Sequence, residues 1–445
     1  MGIFSSLTRE QREAAAILQT GTFLEYFDLM LYVHMGVILN ELFFPKTDPH
    51  IASLISATTF CLTFVFRPLG ALFFGYIGDT AGRKITVIIT TIMMSLCCAT
   101  MAMLPTYAQV GITASWLVII CRIVQGLSSM GEIVGAQIYL TELIKIPARY
   151  PVVTFIGCAD CLGGMAALAL ATGVLALGID WRAAFWVGAL IAVIVTVART
   201  ALRETPDFVN AKLQLKKNLE KANIDNSLGL KKDYIVNENV NKKTSLSYFF
   251  IECGRPVWFF FTYIYCANIL KNNFNYSSQQ IIQHNLVLAS IEFFAMLYYA
   301  YLSYKIHPLK IMKVRIMIFF IFVIFIPYLL INVTTAMQMF FIQIPVCIFQ
   351  HTTVPADAVF FVNFPIFKRF RYTVFLYALS RALMYIIVSF GLVYLTNSFD
   401  HWGLLILFIP VIIAIKFGIS HFEDLEVAAE RYSQNYSLNS VANVV

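Results

Sequence analysis

The stretch that decides the fold is Gly75-Tyr76-Ile77-Gly78-Asp79-Thr80-Ala81-Gly82-Arg83-Lys84. It carries one acid, two bases and three glycines, and it lies between two apolar runs that are each long enough to span a bilayer. A link this short brings two membrane helices together, and glycines are needed where their backbones nearly touch. The charges of Asp79, Arg83 and Lys84 must then lie in water or pair with other charges.

Composition places the rest of the chain in a bilayer. Of the 445 residues, 59% are hydrophobic and only 13% are charged, whereas about a quarter of the residues in soluble globular proteins are charged. Apolar runs of about 20 residues predict membrane-spanning helices. Twelve such runs can be read, at residues 14–40, 51–78, 85–104, 115–142, 151–178, 182–201, 249–270, 280–304, 312–332, 335–363, 373–396 and 402–420. We therefore predict an all-α membrane protein with twelve transmembrane helices.

The distribution of Lys and Arg predicts the orientation, because positively charged loops stay in the cytoplasm. The loops after even-numbered helices contain Arg83, Lys84, Lys145, Arg149, Lys305, Lys310, Lys313, Arg315, Lys368, Arg369 and Arg371. The loops on the other face contain only Lys46, Arg182 and Lys271. Both termini are therefore predicted to be cytoplasmic. The same asymmetry explains the formal net charge of +7, so we expect no nucleic-acid partner.

The apolar pattern is interrupted once, where Lys, Asn and Asp accumulate, and the interruption divides the helices six and six. We predict an N-terminal six-helix bundle at residues 1–201, a cytoplasmic linker at 202–248, a C-terminal six-helix bundle at 249–420 and a cytoplasmic tail at 421–445.

The segment at residues 75–84 resembles the loop between helices 2 and 3 of the major facilitator superfamily, a large class of secondary transporters. The resemblance implies two six-helix halves that rock around a midplane site. In that family, the acid and bases of this loop latch neighbouring helices in one of two access states. By resemblance, we assign the conformational latch to Arg67, Gly75, Asp79, Gly82, Arg83 and Lys84.

The corresponding segment of the second half, at residues 300–310, keeps small and basic residues but has Tyr304 where the acid belongs. The sequence therefore predicts no charged latch there.

Further stretches resemble the metabolite:proton symporter branch of the superfamily, which contains proline/betaine, citrate, ketoglutarate and shikimate transporters. They lie at residues 21–28, 67–70, 122–132 and 204–208. In the second half the resemblance is reduced to Asn363-Phe364-Pro365 and Arg371-Tyr372, and an acid usual in the branch is Asn363 here. The resemblance implies a bacterial inner-membrane symporter of a small zwitterion or carboxylate.

Two carboxylates lie within the first predicted helix, where an unpaired charge costs several kcal/mol. Glu25 and Asp28 are three residues apart and share a helix face with Tyr32. Two like charges so close in a low dielectric favour retention of a proton on one of them, as a proton carrier requires. The alternative is a structural pairing with a cation from another helix.

Polar residues also line one face of the fourth predicted helix. Arg122, Gln125, Ser129 and Glu132 recur there at intervals of three, four and three. The planar guanidinium of Arg122 suits a carboxylate of the substrate or of helix 1, and a purely structural pair is the alternative. By resemblance, Arg122 takes part in proton coupling. We assign this role to Glu25, Asp28, Arg122 and Glu132.

Candidate substrate contacts come from both halves. Asp160 shares a face with Gly157 and Gly164, so a close-packed neighbour can reach it. In the second half, Arg381 either binds an anionic group of the substrate or neutralises one of two buried acids. The predicted substrate-binding residues are Tyr32, Gln125, Ser129, Asp160, Glu292, Asp357 and Arg381.

Together these features predict proton-coupled symport by alternating access. No covalent chemistry is implied, so we expect neither an enzyme nor a cofactor nor a metal site. The expected partners are a small-molecule substrate, the proton and the lipid bilayer, and the carrier is expected to be a monomer. The alternatives within transport are a facilitator without proton coupling and an organic-anion antiporter. A transport-incompetent nutrient or osmotic sensor is the alternative of another class, suggested by Tyr304 and Asn363.

Overall fold

The computed structural model describes residues 6–35, 39, 42–45, 64–221 and 240–432. Over these residues all regular secondary structure is helical, and each of the twelve predicted apolar runs contains helix. A helix satisfies its backbone polar groups internally, as hydrocarbon surroundings require. The prediction of an all-α membrane protein is therefore confirmed.

Within its described residues, the first half has a short helix at Tyr107–Val110, six helices that belong to the predicted spans and a connecting helix. Their bounds are α1 Arg9–His34, α2 Arg67–Thr80, α3 Arg83–Met103, α4 Ile112–Leu143, α5 Arg149–Ala176, α6 Arg182–Thr200 and α7 Pro206–Lys221. The helix α1 packs along α5, and α3 packs along α6. The predicted linker begins with α7, and its residues 222–239 lie outside the described part, as do residues 433–445 of the predicted tail.

The described part of the second half combines long helices with several short ones. Its helices are α8 Lys242–Glu252, α9 Gly254–Phe260, α10 Cys266–Phe274, α11 Ser278–Ser303, α12 Pro308–Ile331, α13 Ala336–Phe349, α14 Asp357–Val362, α15 Ile366–Phe399 and α16 Gly403–Ala428. A π-helical turn at Phe261–Tyr265 joins α9 to α10. Two predicted spans, at residues 249–270 and 335–363, are therefore interrupted helices.

The interruption between α13 and α14 is held by a buried arginine of α12. Arg315 is 5% exposed, and its guanidinium donates to the backbone carbonyls of Gln350 and Val354 at 2.5 Å each. Carbonyl groups freed by a helix break inside a membrane need such partners. Our sequence analysis counted Arg315 as a loop charge, but the residue lies inside α12 and points inward.

Seven described helical stretches are long and apolar enough to cross a membrane, and one of them, Ile366–Ala428, contains both α15 and α16. Four further predicted spans correspond to α1, α2 and the two interrupted segments. The helix α1 carries several charged residues, and α2 begins only at Arg67 in the described part. Length and apolarity alone therefore miss the spans that hold charges or breaks.

The two halves meet where α2 packs on α15 and where α5 packs on α11. The end of the molecule that contains the α2–α3 turn and the beginning of α15 is called the turn end below. A Cβ added at Gly75 would lie 2.8 Å from Cα of Arg371, and one added at Gly78 would lie 2.7 Å from the ring of Phe370. The sequence predicts this close approach between the two helices that the turn joins, whereas these glycines of α2 lie against α15 of the second half.

Candidate functional site

An acid of the first half holds a helix of the second half at the turn end. Asp79 is 2% exposed, and its carboxylate accepts the backbone N–H groups of Phe370 at 3.1 Å and Arg371 at 2.9 Å. Both amides lie in the first turns of α15, where the helix dipole favours an anion. Asp79 therefore joins the two halves directly.

Arg83 and Glu142 extend this junction. Arg83 Nη2 donates to Glu142 Oε1 at 3.0 Å and to the carbonyl of Ile366, at the start of α15, at 2.6 Å. Glu142 also accepts Arg369 Nη1 at 3.0 Å. The carboxylate of Glu142 thus lies between one arginine of each half. We call Asp79, Arg83, Glu142 and Arg369 the latch cluster.

The α2–α3 turn is shaped for these contacts. Gly82 has a φ of 127°, a conformation that residues with a side chain rarely adopt. The backbone N–H groups of Arg83 and Lys84 donate to the Glu204 carboxylate at 3.0 and 3.3 Å. Gly82 and Lys84 therefore belong to the predicted site through their backbone.

Arg67 does not lie with the other predicted latch residues. It precedes Asp79 by twelve residues on the same helix, a separation of about 18 Å along the axis. Its Nη2 lies 3.9 Å from Glu25 Oε1, and its guanidinium covers the ring of Phe64 at 4.5 Å. The structure moves Arg67 from the latch to the charged residues of α1.

The predicted faces of α1 and α4 meet in the middle of the first half. Gln125 Nε2 donates to Asp28, while Gln125 Oε1 accepts Arg122 Nη1 at 2.7 Å. Cys98 Sγ donates to the other oxygen of Asp28 at 3.3 Å, and the guanidinium of Arg122 lies 4.0 Å from the ring centre of Tyr32. Arg122 thus reaches Asp28 through Gln125, and we call Asp28, Gln125 and Arg122 the relay.

Two predicted residues of α4 stand apart from the relay. Ser129 is buried, and its hydroxyl donates to the carbonyl of Gly126 within the same helix at 3.0 Å. The backbone of Glu132 belongs to α4, but its side chain lies outside the described part of the structure.

Asp160 lies at the contact between the halves. Its carboxylate accepts Arg255 Nη2, from α9 of the second half, at 2.6 Å. A Cβ added at Gly157 would lie 3.3 Å from Val354 Cγ2 and 4.0 Å from Met296 Sδ, both of the second half. The predicted face of α5 therefore packs against the other half, as expected from its small residues.

The predicted acids of the second half do not pair with Arg381. Arg381 Nη1 donates to Glu252 Oε2 at 2.7 Å, and its guanidinium lies 3.4 Å from the ring centre of Tyr377. Arg381 thus neutralises an acid, but that acid is neither Glu292 nor Asp357. Glu292 accepts the hydroxyl of Tyr263 at 2.9 Å. Asp357 is buried at the start of α14, and its Oδ2 has no hydrogen-bond partner among the described residues.

Five buried or half-buried charges were missed by sequence reasoning, and they are Glu142, Arg199, Glu252, Arg255 and Arg315. All five lie inside apolar runs that we read as membrane spans. The rule that an ionisable group within a span marks a site applies to each of them. The sequence therefore contains the signal for all five residues.

The second half also has a charged cluster at the turn end, which the sequence did not predict. Glu426 Oε1 accepts Asn363 Nδ2 at 2.9 Å, and Glu426 Oε2 accepts Arg431 Nε at 3.0 Å. His307 Nε2 lies 3.6 Å from Glu426 Oε2. We call His307, Asn363, Glu426 and Arg431 the second-half cluster. Its acid comes from α16 rather than from the loop that carries Tyr304, so comparison of the two loops missed it.

The sequence matches one family model and curated bacterial transporters. The model of the Major Facilitator Superfamily matches residues 18–367. The proline/betaine transporter of Salmonella typhimurium is 34% identical over 208 residues, which cover 44% of this chain and 41% of that protein. The inner membrane metabolite transport protein YhjE of Escherichia coli is 34% identical over 211 residues, covering 44% and 47%. The matched part thus spans less than half the length of these relatives.

Solved structures with the same fold include a proton symporter. The structure of the proton:xylose symporter XylE bound to 6-bromo-6-deoxy-D-glucose superposes with a TM-score of 0.70 and covers 97% of this chain and 99% of that one. The two sequences are 14% identical, so the likeness concerns the fold.

Proposed function

The chain belongs to the major facilitator superfamily, and from that premise we propose that it is a proton-coupled symporter of a small zwitterion of the proline or glycine betaine kind. Membership and the helical spans make it a multi-pass membrane protein of the transporter class rather than an enzyme. The cargo is proposed from the proline/betaine transporter among its relatives, and a bacterial inner membrane from YhjE.

The main support for proton coupling is the geometry of the relay. Its members Asp28, Gln125 and Arg122 are each at most 2% exposed, so the carboxylate has little water to stabilise its charge. Charge-assisted hydrogen bonds are roughly twice as strong as neutral ones. A proton on Asp28 therefore weakens the hydrogen bonds that it accepts from α3 and α4.

Arg122 connects this proton to the cargo. Its Nε and Nη2 have no hydrogen-bond partner within the described part of the structure. Protonation of Asp28 leaves the charge of the Arg122 guanidinium less compensated. The interior of the first half then becomes more positive, which favours the presence of an anionic group of the cargo without direct contact with Arg122. In this way proton and zwitterion assist each other's binding.

The latch cluster supplies the conformational part of the proposal. Its inter-half contacts close the turn end, which the distribution of Lys and Arg assigns to the cytoplasm. We infer that these contacts hold the carrier closed toward the cytoplasm, and that substrate and proton together favour opening of that end. The proposal also includes three predictions made from the sequence. These are two halves at residues 1–201 and 249–420, cytoplasmic termini and a monomeric carrier.

Uptake into proteoliposomes tests the proposal. The purified protein is reconstituted, and accumulation of labelled glycine betaine and L-proline is measured with and without an inward acid gradient. We expect accumulation against the concentration gradient only when the acid gradient is present. Asp28→Asn should abolish this accumulation and spare counterflow exchange, whereas Asp180→Asn, which changes a half-exposed loop acid, should behave like the unmodified protein.

Each alternative gives a different result. Equilibration that ignores the acid gradient would make the protein a facilitator. Accumulation of an organic anion driven by exchange would make it an antiporter. Binding of glycine betaine without any accumulation would support the sensor.

A further inference from the structure

We propose that the ion pair between Asp160 and Arg255 is the binding site of the zwitterion itself. The substrate inserts between the two charges, with its carboxylate on Arg255 and its ammonium group facing Asp160. The inference rests on the proposed function and adds to it the orientation of the substrate and a residue, Arg255, that sequence reasoning missed.

The pair has a position that suits a cargo site between the halves. Asp160 lies on α5 of the first half and Arg255 on α9 of the second, and their Oδ2 and Nη2 atoms are 2.6 Å apart. Among the described residues, the other carboxylate–guanidinium contact between the halves is that of Glu142 and Arg369, at the turn end. Arg255 is the seventh residue of the predicted span 249–270, and Asp160 is the tenth of the predicted span 151–178. These positions correspond to about 9 and 14 Å of helix from the start of each span, so the pair lies within the membrane-spanning part of both halves.

The pair is accessible on its cationic side. The side chain of Arg255 is 26% exposed, whereas that of Asp160 is 4% exposed. The hydrogen bond to Asp160 uses one N–H group of the guanidinium, which has several more to offer. This exposure, on a side chain directed at the other half, means that open space adjoins part of the Arg255 side chain. A substrate carboxylate can therefore approach Arg255 before the contact with Asp160 is broken.

The surroundings favour an ammonium group near Asp160. Glu292 of α11 lies within electrostatic range of Asp160 and adds a second negative charge. Tyr26 of α1 lies within electrostatic range of both Asp160 and Arg255, and aromatic rings attract quaternary ammonium groups through their faces. The cationic end of a betaine thus meets two acids and a tyrosine, while its anionic end meets an arginine.

Insertion of a zwitterion between Asp160 and Arg255 leaves both of their charges compensated. Without cargo, the direct pair neutralises one acid and one arginine between the halves. A zwitterion replaces this pair by two ion pairs and adds no net charge. A ligand with a single charge leaves either Asp160 or Arg255 unpaired, and an uncompensated buried charge is costly. The site therefore selects for molecules that carry both charges.

Three ligands of nearly equal shape test this selection. Glycine betaine carries both charges, choline lacks the carboxylate, and 3,3-dimethylbutanoate has carbon in place of the quaternary nitrogen. Their affinities are measured on the purified protein by competition with labelled glycine betaine. We expect the two singly charged ligands to bind about 10- to 100-fold more weakly, the cost of losing a hydrogen-bonded charge. Equal affinity for all three would overturn the inference.

Single variants test whether Arg255 binds the substrate carboxylate and whether Asp160 binds the ammonium group. Arg255→Gln should weaken glycine betaine binding by about 10- to 100-fold and leave choline binding unchanged or stronger. Asp160→Asn should weaken glycine betaine binding and leave 3,3-dimethylbutanoate binding unchanged or stronger. An equal loss for all three ligands in both variants would show a general structural defect and overturn the inference.

The double variant Asp160→Asn/Arg255→Gln separates a binding role from a purely structural one. A structural pair can be replaced by two neutral groups without leaving a buried charge unpaired, so thermal stability should recover relative to the single variants. We expect glycine betaine affinity to stay low, and its recovery together with stability would overturn the inference. The control double variant Lys313→Gln/Glu423→Gln removes a surface pair of 2.7 Å and should leave all three affinities unchanged.

The same measurements separate this inference from the proposed function. If the unmodified protein binds neither glycine betaine nor L-proline, both fail. If the unmodified protein accumulates glycine betaine and the double variant does so with the same KM, only the inference fails.

Discussion

The two halves carry charged clusters at the same end of the molecule, but they use them differently. In the first half, Asp79 and Arg83 reach across to the backbone of α15, and Glu142 lies between arginines of both halves. In the second half, the hydrogen bonds and the ion pair of the second-half cluster join residues of that half, while the ring of His307 also packs on Tyr150 of α5 at 5.9 Å between ring centres. The charged contacts of one cluster therefore join the halves, and those of the other strengthen its own bundle.

This difference explains why the second half can lack an acid at Tyr304. The junction needs one acid and a set of donors, and α15 supplies the donors through the backbone N–H groups of Phe370 and Arg371. Loss of the acid in one repeat is thus compatible with a working latch, which weakens the case for a transport-incompetent sensor.

Glu142→Gln should have the largest effect on the opening of the turn end. The change leaves the buried guanidinium groups of Arg83 and Arg369 without their shared counter-charge, which costs about 3–5 kcal/mol and favours opening of the turn end. A cysteine at Val374, which is 0% exposed and one turn beyond Phe370 on α15, reports the opening in a background without native cysteines. Its alkylation should become at least about 10-fold faster, since 1.4 kcal/mol already corresponds to this factor. An unchanged rate would show that Glu142 does not close this end.

Glu426→Gln is the matched change in the second-half cluster. Glu426 is 0% exposed and binds Asn363 and Arg431, so its loss should lower the free energy of unfolding by about 2 kcal/mol. The alkylation rate of the cysteine at Val374 should not change, because none of these contacts crosses to the other half. Thermal unfolding and alkylation are measured on the same sample. Faster alkylation, comparable to that in Glu142→Gln, would remove the distinction between the two clusters.

Asp79→Asn should have an intermediate effect on the latch. The amide keeps one acceptor oxygen but loses the charge and one of the two bonds to α15, a loss of about 1–2 kcal/mol. Alkylation at Val374 should therefore accelerate, but less than in Glu142→Gln. The loop variant Asp180→Asn serves as the control. A rate equal to that of the control would exclude Asp79 from the latch.

Tyr304→Asp should have the smallest effect. It restores an acid at the position that corresponds to Asp79, but at the C-terminus of α11, where the helix dipole disfavours negative charge by about 0.3–1 kcal/mol. We expect slightly lower thermal stability and no change in alkylation at Val374. Slower alkylation would reveal a second latch that the structure does not contain.

Much of the fold could be predicted from the sequence, because long apolar runs permit little besides helices in a membrane. The breaks could not be predicted in the same way. Residues 350–356 are non-helical within an apolar run, and they persist because Arg315 of another helix binds the freed carbonyls. A partner from a distant part of the chain leaves no trace in the local pattern.

The candidate site, too, could be predicted only in part from the sequence. Helical spacing correctly predicted that Tyr32 and Asp28 share a face and that Arg122 and Gln125 share another, and these faces meet. Spacing gives the direction of a side chain but not the helix opposite it. The pairs Asp160–Arg255 and Arg381–Glu252 therefore required the structure.

In the proposed mechanism, cargo and proton together open the turn end. This can be measured by alkylation of the cysteine at Val374 in proteoliposomes, with and without glycine betaine and at neutral and acidic pH. We expect a marked acceleration only when glycine betaine and acid are both present. An alkylation rate that is the same under all of these conditions would show that cargo and proton do not open this end.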